Sequence, residues 1–273
     1  MSLYPWMIFY LALGAFAGFF AGMLGIGGGL VMVPILTMIF SAQPGFPVGE
    51  VLHMALGTSI AAIIFTSIAS LRTHHQHGAV LWRVVASITP GILLGAAAGT
   101  LVAAKVPVKI LGFVFTGFVC LIAVQMAFNL KPKATRTLPG HFGIALAGFG
   151  IGAVSALVAI GGGSMTVPFL TWCNVRVQNA IGTSAAVGLP IALGGTAGYV
   201  FNGWGYVGLP PSSIGYVYLP ALAGLVLASM LTARLGARAA HRLPIMTLKR
   251  IFSAMLVLIA LKMLWGLVNG GNA

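Results

Sequence analysis

Long apolar segments separated by short polar connections make up almost the whole chain. Most segments are about 20 residues long, the length of a transmembrane helix, whereas the alternating strands of an outer-membrane barrel are about 10 residues long. The pattern therefore predicts an all-α polytopic membrane protein. We expect five elements in each half of the chain: 6–24, 28–41, 51–70, 84–103 and 109–129, then 141–159, 162–174, 179–200, 214–233 and 250–269.

Glycines interrupt the first apolar stretch of each half. As one helix, residues 5–40 would be about 54 Å long at about 1.5 Å per residue, whereas the hydrocarbon core is about 30 Å thick. The run Gly25–Gly29 is the natural break in this stretch. Each half is therefore expected to hold about four full spans and one short or re-entrant helix after a glycine break.

The two halves are also related in sequence. Residues 14–37 and 148–171 align at an offset of 134, with ten identities in 24 positions. A second repeated motif follows in the same order: A-L-G-T-S at 55–59 matches A-I-G-T-S at 180–184. These echoes predict a duplicated unit. Its parts are a first transmembrane repeat at 1–130, a basic inner linker at 131–140 and a second transmembrane repeat at 141–273.

The composition excludes a soluble domain and most enzyme chemistry. Charged residues make up 5% of the chain, against about 25% in an average soluble protein, and hydrophobic residues make up 59%. Glu50 is the only carboxylate side chain, which excludes paired-carboxylate chemistry, a Ser-His-Asp triad and a Walker site except through that residue. We therefore predict that the protein is not an enzyme and needs no cofactor.

The net charge of +13 comes mainly from basic residues in the short connections, which indicates membrane topology rather than nucleic-acid binding. With ten passes and the N-terminus outside, eleven of the fourteen Lys and Arg lie in inner connections and two in outer ones. Because five passes per half is an odd number, the second half is inverted relative to the first. The prediction is two inverted-topology repeats in a plasma membrane (a bacterial inner membrane), with both termini outside.

Backbone breaks at equivalent positions of two inverted repeats are typical of the substrate site of a secondary transporter. Glycine lets the backbone approach a ligand, and the helix after each break offers N–H groups and the positive end of its dipole. We therefore expect a small anion to bind between the two broken helices, near paired hydroxyls in the spans that follow. The candidate residues are Gly27, Gly28, Gly29, Thr58, Ser59, Gly161, Gly162, Gly163, Ser164, Gln178, Asn179, Thr183 and Ser184.

Close helix packing is the alternative role for small residues in membrane helices. For Gly14, Gly18 and Gly22, which are spaced by four, packing is the favoured interpretation. For the two triple-glycine runs a binding site is favoured, with packing as the alternative.

Polar and ionisable residues within the spans add further candidates. Lys262 lies in the last span, and Gln125 occupies the matching position of the first half. A charge near mid-membrane costs about 2.5–3.5 kcal/mol on insertion scales, so Lys262 is counted as an anion-binding candidate. Gln125 is counted as a second candidate, and its matching position favours an interior face for Lys262. The alternative for Lys262 is snorkelling to the outer surface. Glu50 and His53 are proton-coupling candidates, since histidine changes charge near neutral pH; the favoured alternative is a glutamate that stabilises a helix N-terminus.

The repeated motifs resemble those of the TauE/SafE (TSUP) family of membrane proteins. They are G-x-G-G-G-x-x-x-V-P at 25–34, A-I-G-G-G-S-M-T-V-P at 159–168 and the A-x-G-T-S echoes. The resemblance covers nearly the whole chain. It implies a transporter for small anions, often sulfur-containing, such as sulfite, thiosulfate or an organosulfonate. Ala159 replaces the glycine found at position 25, so the second break is expected to be stiffer.

Three other functions compete with an anion carrier that works by alternating access. A static sequence does not distinguish a carrier from an anion channel. A metal-ion carrier would use the loop from His74 to His77. The favoured interpretation of this loop is a solvated connection and not a metal site. An intramembrane enzyme would use Ser164 as its nucleophile, but only His53 and Glu50 could assist it. The expected partners are the anion and the lipid bilayer; the sequence specifies no oligomeric state.

Overall fold

The structure is a computed structural model that describes residues 4–24, 27–128, 135–239 and 245–268. Helices account for most of this part of the chain, so the prediction of an all-α polytopic membrane protein is confirmed. The helices are α1 (Tyr4–Leu24), α2 (Gly29–Ala42), α3 (Val51–Gln76), α4 (Trp82–Lys105), α5 (Val108–Ala127), α6 (His141–Leu157), α7 (Gly163–Trp172), α8 (Val177–Gly203), α9 (Leu219–Ala239) and α10 (Ile245–Val268).

Helix lengths separate full spans from short helices. Among the described residues, seven helices are long and apolar enough to cross a membrane: α1, α3, α4, α5, α8, α9 and α10. By contrast, α2 has 14 residues and α7 has 10, which at about 1.5 Å per residue gives roughly 21 and 15 Å, less than the hydrocarbon thickness of about 30 Å. A third helix, α6, has 17 residues and is also shorter than the seven long helices. The two helices that follow the glycine breaks are the shortest of the described helices, as predicted.

Two of the predicted elements differ from the structure. A two-stranded antiparallel hairpin, β1 (Ser213–Ile214) and β2 (Val217–Tyr218), precedes α9, so the ninth element begins at Leu219 and not at 214. Its turn contains Gly215 with φ of 54°, a conformation that ends a helix rather than starting one. In addition, α3 continues to Gln76, so His74 and His75 lie in its last turn and not in a loop.

Helices from opposite halves pack in pairs through glycines. In the first pair, α1 packs on α9, and an added Cβ at Gly14, Gly18 or Gly22 would collide with the backbone of α9. In the second pair, α4 packs on α6, where Gly95 meets the carbonyl of Phe149. The packing role predicted for the first-helix glycines is therefore confirmed. Such close backbone approach is typical of helix association in lipid.

The α4–α6 contact gives a stability prediction. We expect Gly95→Ala to lower the thermal midpoint of the protein in detergent, because its methyl group would meet the backbone of α6. Overpacking of this kind costs about 1–3 kcal/mol. Gly117→Ala in α5 is the matched control, since an added Cβ there has no atom within 4 Å. A midpoint that falls equally in both variants would contradict the packing role of Gly95.

The third helix of each half, α3 and α8, lies at the centre of the bundle. α3 packs on α8, α9 and α2, and α8 packs on α3, α4 and α7. Most residues of α3 from Val51 to Ser70 are buried. The central hydroxyl groups of these two helices, on Thr58, Ser59, Thr183 and Ser184, are therefore buried in the bundle and do not face lipid.

Candidate functional site

The two glycine breaks meet in the interior of the protein. Gly27 and Gly28 adopt left-handed conformations with φ of 82° and 78°, which only glycine adopts without strain. An added Cβ on Gly27 would lie 2.7 Å from the Cα of Gly161, and one on Gly29 would collide with the carbonyl of Ala159. The starts of α2 and α7 are thereby brought together, as the sequence predicts.

A narrow pocket lies beside this meeting point. Its free volume is about 10 Å³, which is the space of roughly one water molecule. The described residues that line it are all uncharged, and most are glycine, serine or threonine. They are Ala21, Gly27, Thr66, Ser67, Ser70, Gly161, Gly162, Ser184, Ala185 and Gly188.

Ser70 carries a hydroxyl that is available to a ligand at this pocket. Its side chain is 7% exposed, and its Oγ has no hydrogen-bond partner in the part of the chain that the structure describes. A buried polar group without a partner costs about 1–3 kcal/mol, so such a group calls for an explanation. A bound anion would supply the missing acceptor.

Sequence reasoning missed three hydroxyl residues of the pocket: Thr66, Ser67 and Ser70. The signal was present, because Ser59, Thr66 and Ser70 follow one another at spacings of seven and four along α3. Residues at these spacings share one helix face. Thr66 and Ser70 line the pocket, whereas Ser59 lies further along the same face and does not line it.

The two Gly-Thr-Ser motifs contribute only Ser184 to the pocket. The hydroxyl of Thr58 accepts a hydrogen bond from the backbone N–H of Tyr218, at 3.0 Å, and that of Thr183 accepts one from the N–H of Leu81, at 3.0 Å. Each threonine thus accepts a hydrogen bond from the other half of the protein: Thr58 from the residue before α9, and Thr183 from the residue before α4. Ser184 donates to the carbonyl of Ile181 and lines the pocket.

The remaining candidates near the breaks lie outside the pocket. Ser59 and Ser164 are buried with no hydrogen-bond partner for Oγ among the described residues, but neither lines the pocket. At the start of α8, Gln178 is exposed and Asn179 is half-buried. The structure therefore does not bring these four side chains to the point where the breaks meet.

The interior orientation predicted for Lys262 is wrong. Its side chain is exposed on α10, while its neighbour Met263 is 3% exposed and faces the bundle. Because successive residues of a helix point about 100° apart, an inward Met263 turns Lys262 outward. Gln125 on α5 is half-buried and does not line the pocket. Neither residue is brought to the glycine breaks.

Glu50 and His53 form a separate polar cluster at the start of α3. His53 Nδ1 lies 2.9 Å from Glu50 Oε2, and Nε2 lies 3.0 Å from the carbonyl oxygen of Ala103. The ring of Tyr216 stacks on the imidazole with centroids 5.2 Å apart. Burial, followed by its hydrogen bond to Glu50, raises the pKa of Tyr216 well above the usual range, so this phenol stays protonated and donates.

A metal site is not apparent in the described residues. Within them, no group of three or more His, Cys, Asp or Glu side chains is placed to hold a metal ion. The sole carboxylate, on Glu50, lies 20 positions before Ser70, a distance of roughly 30 Å along a helix at about 1.5 Å per residue. The glycine pocket therefore offers hydroxyls and backbone groups rather than the carboxylates typical of divalent cation sites.

The sequence profile of the family described as "Sulfite exporter TauE/SafE" matches residues 10–263. The chain belongs to the TauE/SafE family. The resemblance seen in the repeated motifs is confirmed, and the protein is a multi-pass membrane transporter that requires a lipid bilayer. No solved structure matches the chain.

Relatives within the TauE/SafE family cover nearly the full chain. A "Probable membrane transporter protein" of Haemophilus influenzae is 37% identical over 263 residues, which is 96% of this chain and 99% of that protein. Proteins with corresponding names are 28% identical in Methanocaldococcus jannaschii, over 93% of this chain and 94% of theirs, and 26% identical in Bacillus subtilis, over 85% and 89%. These names describe transporters and not enzymes.

Proposed function

We propose that this TauE/SafE protein is a secondary transporter that binds a small anion where its two glycine breaks meet. The observation that carries the proposal is the pocket in which Gly27, Gly161 and Gly162 converge with the hydroxyl of Ser70. This hydroxyl has no hydrogen-bond partner among the described residues. Two helices begin there, and the first N–H groups of a helix and its dipole favour an anion. The uncharged lining contains no carboxylate that would repel one.

The size of the pocket supports alternating access. A free volume of about 10 Å³ suits roughly one water molecule, so an anion with several heavy atoms enters only after the helices move apart. A continuous channel would instead need an open path in the resting protein. We therefore favour a carrier that opens this site to one side of the membrane at a time.

The contacts of α3 and α8 support inverted repeats. The hairpin segment 213–218, which follows α8, contacts the start of α3 through Thr58, and the segment 77–81, which follows α3, contacts the start of α8 through Thr183. The end of each helix therefore lies near the start of the other, so the two run antiparallel. Equivalent helices of inverted repeats have this relation.

The anion is proposed to contain sulfur, as sulfite, thiosulfate or an organosulfonate. This part of the proposal rests on the family description, "Sulfite exporter". The test is counterflow in proteoliposomes, in which an unlabelled anion is loaded inside and the uptake of its labelled form is followed. Transient accumulation with any of the three would support an exchanging carrier. A folded protein that shows no counterflow with all three would overturn the substrate class.

Ser70 gives the sharpest test of the binding site. We expect Ser70→Ala to weaken the apparent affinity for the counterflow anion by about 10- to 100-fold, because a hydrogen bond to a charged group is worth about 1.5–3 kcal/mol. Ser155→Ala is the matched control, since Ser155 is also buried and unpartnered among the described residues but lies outside the pocket. Equal affinity in Ser70→Ala and wild-type protein would exclude this hydroxyl from the site.

A further inference from the structure

We propose that Glu50 and His53 form a proton-binding site, and that the bound proton is exchanged during the transport cycle. This inference rests on the proposed carrier function and adds a coupling ion to it. The site lies at the start of α3, apart from the glycine pocket. It contains Glu50, the only carboxylate side chain of the protein, and a histidine that is 5% exposed.

The two ring nitrogens of His53 both face acceptors. The carbonyl of Ala103 accepts hydrogen bonds only, so the nitrogen beside it, Nε2 at 3.0 Å, carries a hydrogen. In a neutral ring the other nitrogen, Nδ1, then carries no hydrogen and has a free lone pair. It lies 2.9 Å from Glu50 Oε2, and neither of these two atoms has a hydrogen-bond partner elsewhere in the described chain.

An ionised carboxylate beside a bare nitrogen at this distance would place two lone pairs against each other. One further proton, held either on Nδ1 or on the carboxyl oxygen, turns this repulsion into an attractive contact. The hydroxyl of Tyr216 does not supply that proton, because it donates to the carboxylate and stays protonated. The observed geometry is therefore that of a pair that holds one proton.

The other groups around the pair favour the same state. Ala103 lies in the last turn of α4, whose final carbonyls lack partners within the helix, and the negative end of a helix dipole stabilises an imidazolium. Lys105, two residues further on, has an exposed side chain. Behind Tyr216 the next titratable group is Tyr206, with ring centroids 6.4 Å apart.

The proton is linked to the contact between the two halves. Tyr216, which stacks on His53 and bonds to Glu50, belongs to the second half, whereas the acid–base pair belongs to the first. The carbonyl of Tyr216 also packs against Gly57. Loss of the proton would push Glu50 and His53 apart and weaken two contacts of the Tyr216 side chain. Deprotonation would thereby weaken the contact between this hairpin segment and α3.

The experiment imposes a pH gradient on proteoliposomes whose membrane potential is clamped at zero. The probe is labelled thiosulfate, whose charge is constant near neutral pH, with an alkyl sulfonate as a second probe. One proton moved per anion would give about tenfold unequal distribution of the anion for one pH unit, since one unit corresponds to about 1.36 kcal/mol. The gradient is applied in both orientations, because symport and antiport give opposite signs.

Variants assign the proton to this pair. In His53→Gln the amide still can donate to Ala103 but does not titrate, and in Glu50→Gln the carboxylate is removed. We expect the distribution ratio at one pH unit to fall from about ten to about one in each variant that retains counterflow. His141→Gln, which removes an exposed histidine at the start of α6, is the control and keeps the wild-type ratio.

The outcomes separate this proposal from the carrier function. Suppose that the wild-type protein shows counterflow but gives a distribution ratio of one under the pH gradient. This result overturns the proton proposal and is consistent with the carrier function, whatever the variants do. Absence of counterflow contradicts the carrier function itself. A wild-type ratio of about ten that persists in either His53→Gln or Glu50→Gln would place the proton elsewhere.

Discussion

Gly162→Leu should reduce anion counterflow to the level of protein-free liposomes. An added Cβ at Gly162 would lie 2.9 Å from the carbonyl oxygen of Ser184 and 3.2 Å from the backbone nitrogen of Gly188. The rest of a leucine side chain does not fit a pocket with a free volume of about 10 Å³. The substitution therefore fills the site where the two breaks meet, and it does so from the N-cap of α7.

Gly162 is the appropriate position because its backbone conformation is one that any residue adopts. Its φ is −56°, in the helical region, whereas Gly27 and Gly28 adopt positive φ angles that would strain any substitution. Loss of transport at Gly162 therefore reports on the filled space between α7 and α8 at the pocket rather than on a strained φ angle.

Gly150→Leu in α6 is the matched control for this experiment. An added Cβ at Gly150 has no atom within 4 Å, so the same change of side chain is made where there is room. Both variants are compared after size-exclusion chromatography shows equal amounts of folded protein. Full counterflow in Gly162→Leu would remove the glycine pocket from the transport mechanism.

The sequence predicts the helices well because their signals are local. Apolar length and the two glycine runs depend only on neighbouring residues, and the described helices follow them closely. The hairpin at 213–218 was not predicted because Val217 and Tyr218 look like the start of an apolar span. Their strand conformation depends on long-range contacts, such as the hydrogen bond from Tyr218 to Thr58.

The sequence predicts only the part of the site that has a local signal. The glycine runs are visible as breaks, and the structure brings them together. Which hydroxyls face the pocket depends on helix rotation, so the sequence pointed to Thr58 and Thr183 and missed Ser70. Lys262 was placed inside on the basis of its depth in the span. Depth does not determine which face of α10 a residue occupies.

Thr58→Val and Thr183→Val should shift the conformational equilibrium of the carrier in opposite directions. Thr58 holds the N–H of Tyr218 and Thr183 holds the N–H of Leu81, and each bond joins one half of the protein to the other. Under the proposed topology these bonds lie at opposite sides of the membrane: the first at the outer ends of the helices, the second at the inner ends. Each would then break only when its own side opens.

The size of this shift in the conformational equilibrium is set by the backbone N–H group that loses its hydrogen-bond acceptor, that of Tyr218 or that of Leu81. Valine preserves the shape of threonine but removes its hydroxyl. The loss destabilises the state in which that side is closed by about 1–3 kcal/mol, which corresponds to a roughly 5- to 150-fold change in the equilibrium between the closed and open states. The larger effect is expected for Thr58→Val. The N–H of Tyr218 is in a buried residue, whereas Leu81 is half-buried and water can partly replace the lost acceptor.

Accessibility of the pocket measures this shift directly. A single cysteine at Ser70, in a background in which Cys120 and Cys173 are replaced by serine, is labelled with a membrane-impermeant maleimide from either side. We expect Thr58→Val to speed labelling from outside and Thr183→Val to speed it from inside, while each slows labelling from the other side. If both variants change labelling in the same direction, the two bonds stabilise the fold without controlling access, and the inverted relation of the repeats loses its mechanistic role.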